Sequence, residues 1–151
     1  MHAPETVHYR TLSPDDLGLL RGLIRLYAEE FEMPPFRQPD DAHLGSLLRS
    51  ATTFFLVAVH EGAVVGGLTA HLLPSVYSTA GEMYLYDLAV AAPFQRRGIG
   101  TRLLSELRSV CRSLGAAEMF VQADIVDDHA VAFYRATNGT EEQVLHFSYP
   151  T

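Results

Sequence analysis

The sequence predicts an α+β fold built on a mixed sheet, with elements in the order β-α-α-β-β-β-α-β-α-β. Three observations carry that prediction. Apolar residues recur at helical spacing through 14–31 and again through 99–114. Apolar, β-rich runs occupy 53–59, 64–73 and 82–90. Between the last of these and residue 99 the period switches from strand to helix across a glycine-bearing turn. Strands and helices interleave with no internal repeat or linker, which is the pattern of a single α+β domain.

Residues 6–11 predict a short first strand. Ser13-Pro14-Asp15-Asp16 supplies an N-cap, a first-turn proline and an acidic residue three positions past the cap, so a helix is expected from residue 14. Leu17, Leu20, Ile24, Tyr27 and Phe31 turn its apolar face inward, and Pro34-Pro35 stops it. Leu44, Leu47 and Leu48 predict a shorter helix over 40–49. The runs 53–59 and 64–73 form an antiparallel hairpin turned by Glu61-Gly62. Gly66-Gly67 within it marks a bulge, a close approach of ligand to backbone, or a simple bend, the bend being the most frequent cause. Residues 74–81 are a loop and 82–90 a strand. Ile99, Leu103, Leu107, Val110 and Leu114 define the next helix, closed by Gly115. A strand over 117–124, a helix over 128–137 and a final strand over 142–149 complete the order.

The 151 residues suit one domain, 1–151, with 48% hydrophobic and 19% charged residues and no low-complexity tract. Eighteen acidic against eleven basic side chains give a net charge of -7, which disfavours nucleic acid and suits a cationic partner, or serves solubility alone. Cys111 is the single cysteine and sits among apolar helix positions, so a packing role is expected. No basic-then-apolar leader and no apolar run near the roughly 18 residues of a membrane span is present, so a cytoplasmic setting with no membrane is expected. Seven histidines lie scattered without ligand spacing, and no metal is assigned.

The chemistry concentrates in Ala92-Pro93-Phe94-Gln95-Arg96-Arg97-Gly98-Ile99-Gly100-Thr101. A glycine-bearing turn that feeds a helix N-terminus offers unpaired N–H groups and partial positive charge to a diphosphate. Arg96 and Arg97 reinforce that field. A dinucleotide fingerprint fails because Leu103 stands where its third glycine belongs, and a P-loop fails because no Gly-Lys-Ser/Thr follows.

The pattern Q/R-x-x-G-x-G/A after Tyr84-Leu85-Tyr86-Asp87-Leu88-Ala89-Val90 resembles the acetyl-CoA signature of the GNAT superfamily of N-acetyltransferases. That resemblance implies the GNAT fold, with a mixed, mostly antiparallel central sheet flanked by helices, and acetyl-CoA as co-substrate. It implies that the amides of Gln95, Arg96, Arg97, Gly98, Ile99 and Gly100, with Thr101, hold the CoA pyrophosphate. Leu88, Ala89 and Val90 would border the pantetheine arm, the Val90 amide polarising the thioester carbonyl. A donor aimed at a developing oxyanion is ordinarily worth about 3–4 kcal/mol. Ala130-Val131-Ala132-Phe133-Tyr134 resembles the family's A-x-x-F-Y helix, which makes Tyr134 the general acid for the departing thiolate. The family's Y-x-x-x-G-F continuation departs here, since Gly139 comes one position late and Asn138 takes the expected left-handed position.

Amine attack needs a proton acceptor, and the carboxylates are the candidates. Asp87 inside the signature strand is costly to bury without a partner, and is the first choice as base, with Glu82 and Asp124 as alternatives. Asp127, Asp128, Glu141 and Glu142 are further candidates to line the acceptor site with Glu82, Tyr84 and Asp124, although Asp127-Asp128 also reads as a helix cap. Together with Pro39-Asp40, Leu47-Leu48-Arg49-Ser50, Val64-Val65-Gly66 and His146-Phe147, these segments resemble the class I aminoglycoside 3-N-acetyltransferases. The resemblance implies acetyl transfer to the 3-amine of the 2-deoxystreptamine ring of gentamicin-like antibiotics, resistance as the consequence, and a homodimer. Two other readings stand beside it: transfer to a polyamine or peptide amine, and a non-catalytic acyl-CoA sensor.

Overall fold

The protein is described by a computed structural model over residues 6–151. It comprises two compact units, one running to Val121 and the other Gln122–Thr151.

In the first unit, β1 (His8–Thr11), β2 (Thr53–His60), β3 (Ala63–Leu73), β4 (Glu82–Val90) and β5 (Glu118–Val121) form one sheet in sequence order. All neighbours are antiparallel except β4 and β5, which run parallel. α1 (Leu17–Glu30) and α2 (Asp41–Arg49) cover one face, burying Leu20, Leu23, Leu26, Leu44 and Leu48 against Phe55, Val57 and Ala89. α3 (Ile99–Leu114) connects β4 to β5 and buries Ile99, Leu103, Leu107 and Cys111. Burial pushes the Cys111 thiol up, as befits a packing residue.

α1 begins at Leu17, three residues later than the capping pattern predicts from residue 14. Asp16 folds back to accept from the Ser13 amide at 2.7 Å and pairs with Arg10 at 2.8 Å, so Pro14 and Asp15 are spent in a turn. Burial raises the Asp16 carboxyl, but these partners outweigh it and hold it below its ordinary value. α2 starts where its sequence predicts, with Asp40 accepting from the His43 amide at 2.9 Å. The hairpin turns on Glu61 and Gly62, both at positive φ.

Gly66 and Gly67 mark close approach, by helices on both faces. A Cβ on Gly66 would lie 2.9 Å from Ile99 of α3, and one on Gly67 would lie 2.4 Å from Leu23 of α1. The residue that bulges there is Val65, between the pairs Ala58–Gly66 and Val59–Val64.

In the second unit α4 (Asp128–Ala136) ends at Thr137, and Asn138 takes the left-handed conformation (φ 67°) as predicted. The final strand predicted over 142–149 does not form. Val144, Leu145, Phe147 and Tyr149 keep a strand-like spacing but stand exposed. A strand needs a neighbour's N–H and C=O groups, and among the described residues none pairs with 140–151. The α+β architecture therefore rests on five strands rather than six. No helix among the described residues is long and apolar enough to cross a membrane.

Candidate active site

The position of Asp87 follows from an irregularity in β4. Leu85 pairs with Ala70 and Asp87 with Thr69, so Tyr86 is an extra residue on β4. Residues directly opposite in a ladder share a face. On β3, Gly66 meets α3 and Gly67 meets α1, so Leu68 and Ala70 belong to the α3 face and Thr69 and His71 to the α1 face. Their partners divide accordingly: Met83, Leu85 and Leu88 face α3, whereas Tyr84, Asp87 and Ala89 face α1 and α2. Without the bulge Asp87 would follow Met83 and Leu85 under α3. With it, the carboxylate enters a cleft of about 260 Å³ lined by Tyr27, Leu44, Phe55, Thr69, His71 and Tyr86. Burial alone pushes this carboxyl up to about 6, which suits a group that must exchange a proton near neutral pH.

An aromatic strip leads to it. Phe120 meets Tyr84 edge-on at 4.7 Å, Tyr84 meets Tyr86 at 5.6 Å, and Tyr86 meets His71 edge-on at 5.8 Å. Such faces suit an ammonium or a sugar ring carrying one. Behind Asp87, the buried Tyr27 and Thr69 hydroxyls share a hydrogen bond of 2.8 Å.

Beside the carboxylate, β4 offers backbone. Its pairing with β5 covers Glu82 to Leu85 only, so among the described residues no strand occupies that side from Tyr86 to Val90. The stretch from Leu88 to Val90 thus leaves that side open to an extended ligand arm, except at the Val90 carbonyl, which Gln95 takes. A 3₁₀ turn at Ala92–Phe94 follows, and then a loop bent by positive φ at Arg96 (61°) and Gly98 (82°). Gly98 is the N-cap of α3, with no side chain closing it. The first intrahelical bond runs from the Arg102 amide to the Gly98 carbonyl at 3.0 Å, which leaves the amides of Ile99, Gly100 and Thr101 ahead of it for an anion. Arg97 lies over the Phe94 ring at 5.4 Å. Gln95 serves the turn with its side chain, donating to the Val90 carbonyl at 2.9 Å and to Glu30 at 3.3 Å. Glu30, at the end of α1, also accepts from the Ala92 amide at 3.2 Å and ties the turn to the helix.

The first unit thus brings together Asp87, Tyr84, the β4 edge and the 95–101 turn. Glu82 stands exposed at the opposite end of β4, about 16 Å away along the strand at 3.3 Å per residue. Asp124, Asp127, Asp128, Tyr134, Glu141 and Glu142 belong to the second unit. There Asp127 accepts from the Ala130 amide at 3.0 Å and caps α4, Glu141 pairs with Arg135 at 2.6 Å, and the Tyr134 ring packs edge-on against Phe133 at 5.2 Å. Sequence reasoning missed Glu30, Thr69, His71, Tyr86 and Phe120. Only the Tyr84-x-Tyr86 alternation hinted at the aromatic strip, while the others depend on contacts distant in sequence.

Residues 20–139 match the family described as acetyltransferase (GNAT). The chain is 42% identical to an aminoglycoside acetyltransferase from an uncultured soil metagenomic sample, solved in complex with trehalose and with sisomicin, with a TM-score of 0.93 over 96% of each chain. An aminoglycoside N-acetyltransferase solved in complex with CoA is 18% identical, with a TM-score of 0.81 over 99% of this chain and 98% of that one, a likeness of fold alone. Among curated proteins, an N-alpha-acetyltransferase of Sulfolobus acidocaldarius is 28% identical over 102 residues, which span 63% of this chain and 61% of that protein. The chain spans less than two thirds of the length of the curated relatives it matches. With a family match across most of its length, the chain belongs to the acetyltransferase (GNAT) family, whose acyl donor is acetyl-CoA.

Proposed function

We propose that the protein transfers acetyl from acetyl-CoA to the 3-amino group of the 2-deoxystreptamine ring of gentamicin-like aminoglycosides, conferring resistance. The observation that carries this reading is the bulge in β4, which places the Asp87 carboxylate in a cleft beside the unpaired strand edge. The soil enzyme's complex with sisomicin supports the substrate class. The family match over 20–139 runs through both compact units, which supports reading 1–151 as one GNAT domain.

In this mechanism the cleft takes up a cationic ring and Asp87 accepts a proton from its ammonium. The freed amine attacks the thioester carbonyl to form a C–N bond and a tetrahedral oxyanion, which the Val90 amide stabilises. Collapse breaks the C–S bond; Tyr134 protonates the departing thiolate and recovers a proton through water from the nitrogen of the new amide, while Asp87 returns its own to solvent. Amide and free CoA are the products. The net charge of -7 attracts a polycation. The homodimer fits the exposed segment bearing Val144, Leu145, Phe147 and Tyr149, which a second copy would cover. Light scattering of the full chain and of a chain ending at residue 140 checks this, both masses being monomeric if the idea fails.

The test is CoA-thiol release from acetyl-CoA with gentamicin, spermidine or a peptide amine, in parent and Asp87→Asn protein. Release with gentamicin alone, lost in the variant, is the expected result, with the acetylated position read by NMR of the product. Turnover of spermidine or the peptide without gentamicin would redirect the acceptor. Stabilisation by acetyl-CoA without turnover of any amine would make the protein a sensor.

A further inference from the structure

We infer that the aromatic strip beside the cleft is a second acceptor subsite, which seats an aminosugar ring attached to the ring being acetylated and so sets a preference for multi-ring aminoglycosides, an assignment that rests on the proposed acetyl transfer to that class. Asp87 and the strip share one face of the sheet. Asp87 pairs with Thr69, and Tyr84 pairs with His71 on β3 and with Phe120 on β5.

Size divides the acceptor between the two places. The cleft at Asp87 offers about 260 Å³, below the roughly 300–1,000 Å³ of pockets that enclose a drug-sized ligand. It holds one ring with its amine, and walls formed by Leu20, Ile24 and Leu47 meet that ring's hydrocarbon. Any further ring must lie outside. Tyr86 is both a lining residue and 63% exposed, so it marks the open side of the cleft. From there the strip leads away: its ring centroid lies 5.8 Å from His71 and 5.6 Å from Tyr84, and Tyr84 lies 4.7 Å from Phe120. A second ring joined to the first therefore leaves the cleft onto aromatic surface.

Packing does not explain Tyr86. Phe55 and Tyr27, which line the same cleft, are 6% and 8% exposed, whereas Tyr86 keeps most of its surface in water. It is also the unpaired residue of the β4 bulge, so it completes no ladder pair. An exposed aromatic face attracts an ammonium through its quadrupole and packs on the apolar side of a sugar ring. Among the described residues the arginine–aromatic pairs are Arg97 with Phe94 and Arg102 with Tyr9, and neither involves Tyr86.

The experiment compares kcat/KM at about pH 8, above the ordinary range of imidazole titration, for gentamicin, for 2-deoxystreptamine alone and for 2-deoxystreptamine carrying a glucose without an amine. The parent should prefer gentamicin to both of the others. An exposed cation–π contact is ordinarily worth about twofold to fivefold, so Tyr86→Leu should cut the preference for gentamicin over 2-deoxystreptamine about fivefold and Tyr84→Leu about twofold. Tyr86→Phe keeps the ring and should keep the preference. Should Tyr84→Leu fail to fold, the exposed Tyr86 carries the same readout. Equal losses on gentamicin and 2-deoxystreptamine would overturn the subsite, as would a Tyr86→Phe enzyme no better than Tyr86→Leu. A glucosylated ring as good as gentamicin would overturn recognition of the second amine.

Calorimetric titration of gentamicin into the CoA-loaded parent and Tyr86→Leu proteins separates the subsite from the transfer reading. Gentamicin bound about fivefold more weakly by the variant, yet acetylated by neither protein, would overturn the transfer and keep the subsite. Acetylation of gentamicin with a preference that Tyr86→Leu leaves unmoved would overturn the subsite alone. Gentamicin neither bound nor acetylated would overturn both.

Discussion

Replacing Asp87 by Asn should make the protein more stable at neutral pH while disabling it. Burial raises the carboxyl from 3.8 to about 6, so the fold prefers the protonated form. The stability this contributes is full below pH 3.8 and is lost as pH rises through about 6. At about 1.36 kcal/mol per pH unit, the gap between those values caps the cost of the ionised form near 3 kcal/mol. The cleft is open to water, so the working figure is about 1–2 kcal/mol after solvent screening. Asn has nearly the shape of Asp and no charge to desolvate. In a protein of this size each kcal/mol moves Tm by about 2–4 °C, so Asp87→Asn should melt about 3–6 °C above the parent at pH 7.5. The gain should shrink on acidification and vanish by about pH 4, where the parent's carboxyl is protonated as well. Calorimetric melts at half-unit pH steps read this directly, and thiol release on the same samples should fall at least about 10²-fold. A Tm gain that is absent at pH 7.5, or equally large at pH 4, would refute the claim that the buried charge sets the cost.

Other substitutions probe the parts that surround this carboxylate. Tyr134→Phe should slow acetyl transfer by about tenfold or more with little change in KM for acetyl-CoA, in line with a lost general acid; unchanged single-turnover rates would remove that role. Glu30→Ala deletes the acceptor of the Ala92 amide and the Gln95 side chain, and should raise KM for acetyl-CoA about fivefold with kcat held, as steady-state kinetics would show. Gly67→Ala would drive a Cβ to 2.4 Å from Leu23 and 2.8 Å from the Leu56 carbonyl, so a loss of about 1–3 kcal/mol is expected in urea unfolding. An unaffected midpoint would mean that α1 is not seated on β3 as described.

Where sequence and structure agree, a local period decides the outcome. β4 and α3 occupy the residues that the strand run and the helical spacing predict, because each buries its own face whatever its neighbours do. Disagreement begins where a partner distant in sequence decides. The strand pattern over 142–149 is real, but no pairing edge among the described residues completes it. Asp16 reads as a first-turn acid, yet its ion pair with Arg10 draws it out of α1. Tyr27 and Thr69 are 42 positions apart and no motif links them.

Asp87 shows how such a distant partner reaches the site itself. Strict alternation through 82–90 puts Asp87 on the side of Met83 and Leu85, beneath α3, where an ionised carboxylate has no business. The cost of burying a charge inside the strand was the reason to single it out from sequence, and that reason says nothing of which face it takes. The bulge at Tyr86 inverts the alternation for the second half of the strand. Because Tyr86 is taken up as an unpaired residue, Asp87 keeps to the cleft, Leu88 fills the α3 side and Ala89 enters the α1 core. Deleting Tyr86 should therefore leave Asp87 on its face, because Leu85 then precedes Asp87 directly and the pairs Ala70–Leu85 and Thr69–Asp87 follow one another without a gap. The deletion should cost no more than Tyr86→Ala, which loses one aromatic face and should raise the acceptor KM severalfold. A deletion variant that folded but lost transfer as fully as Asp87→Asn would show that the bulge does more than absorb one residue.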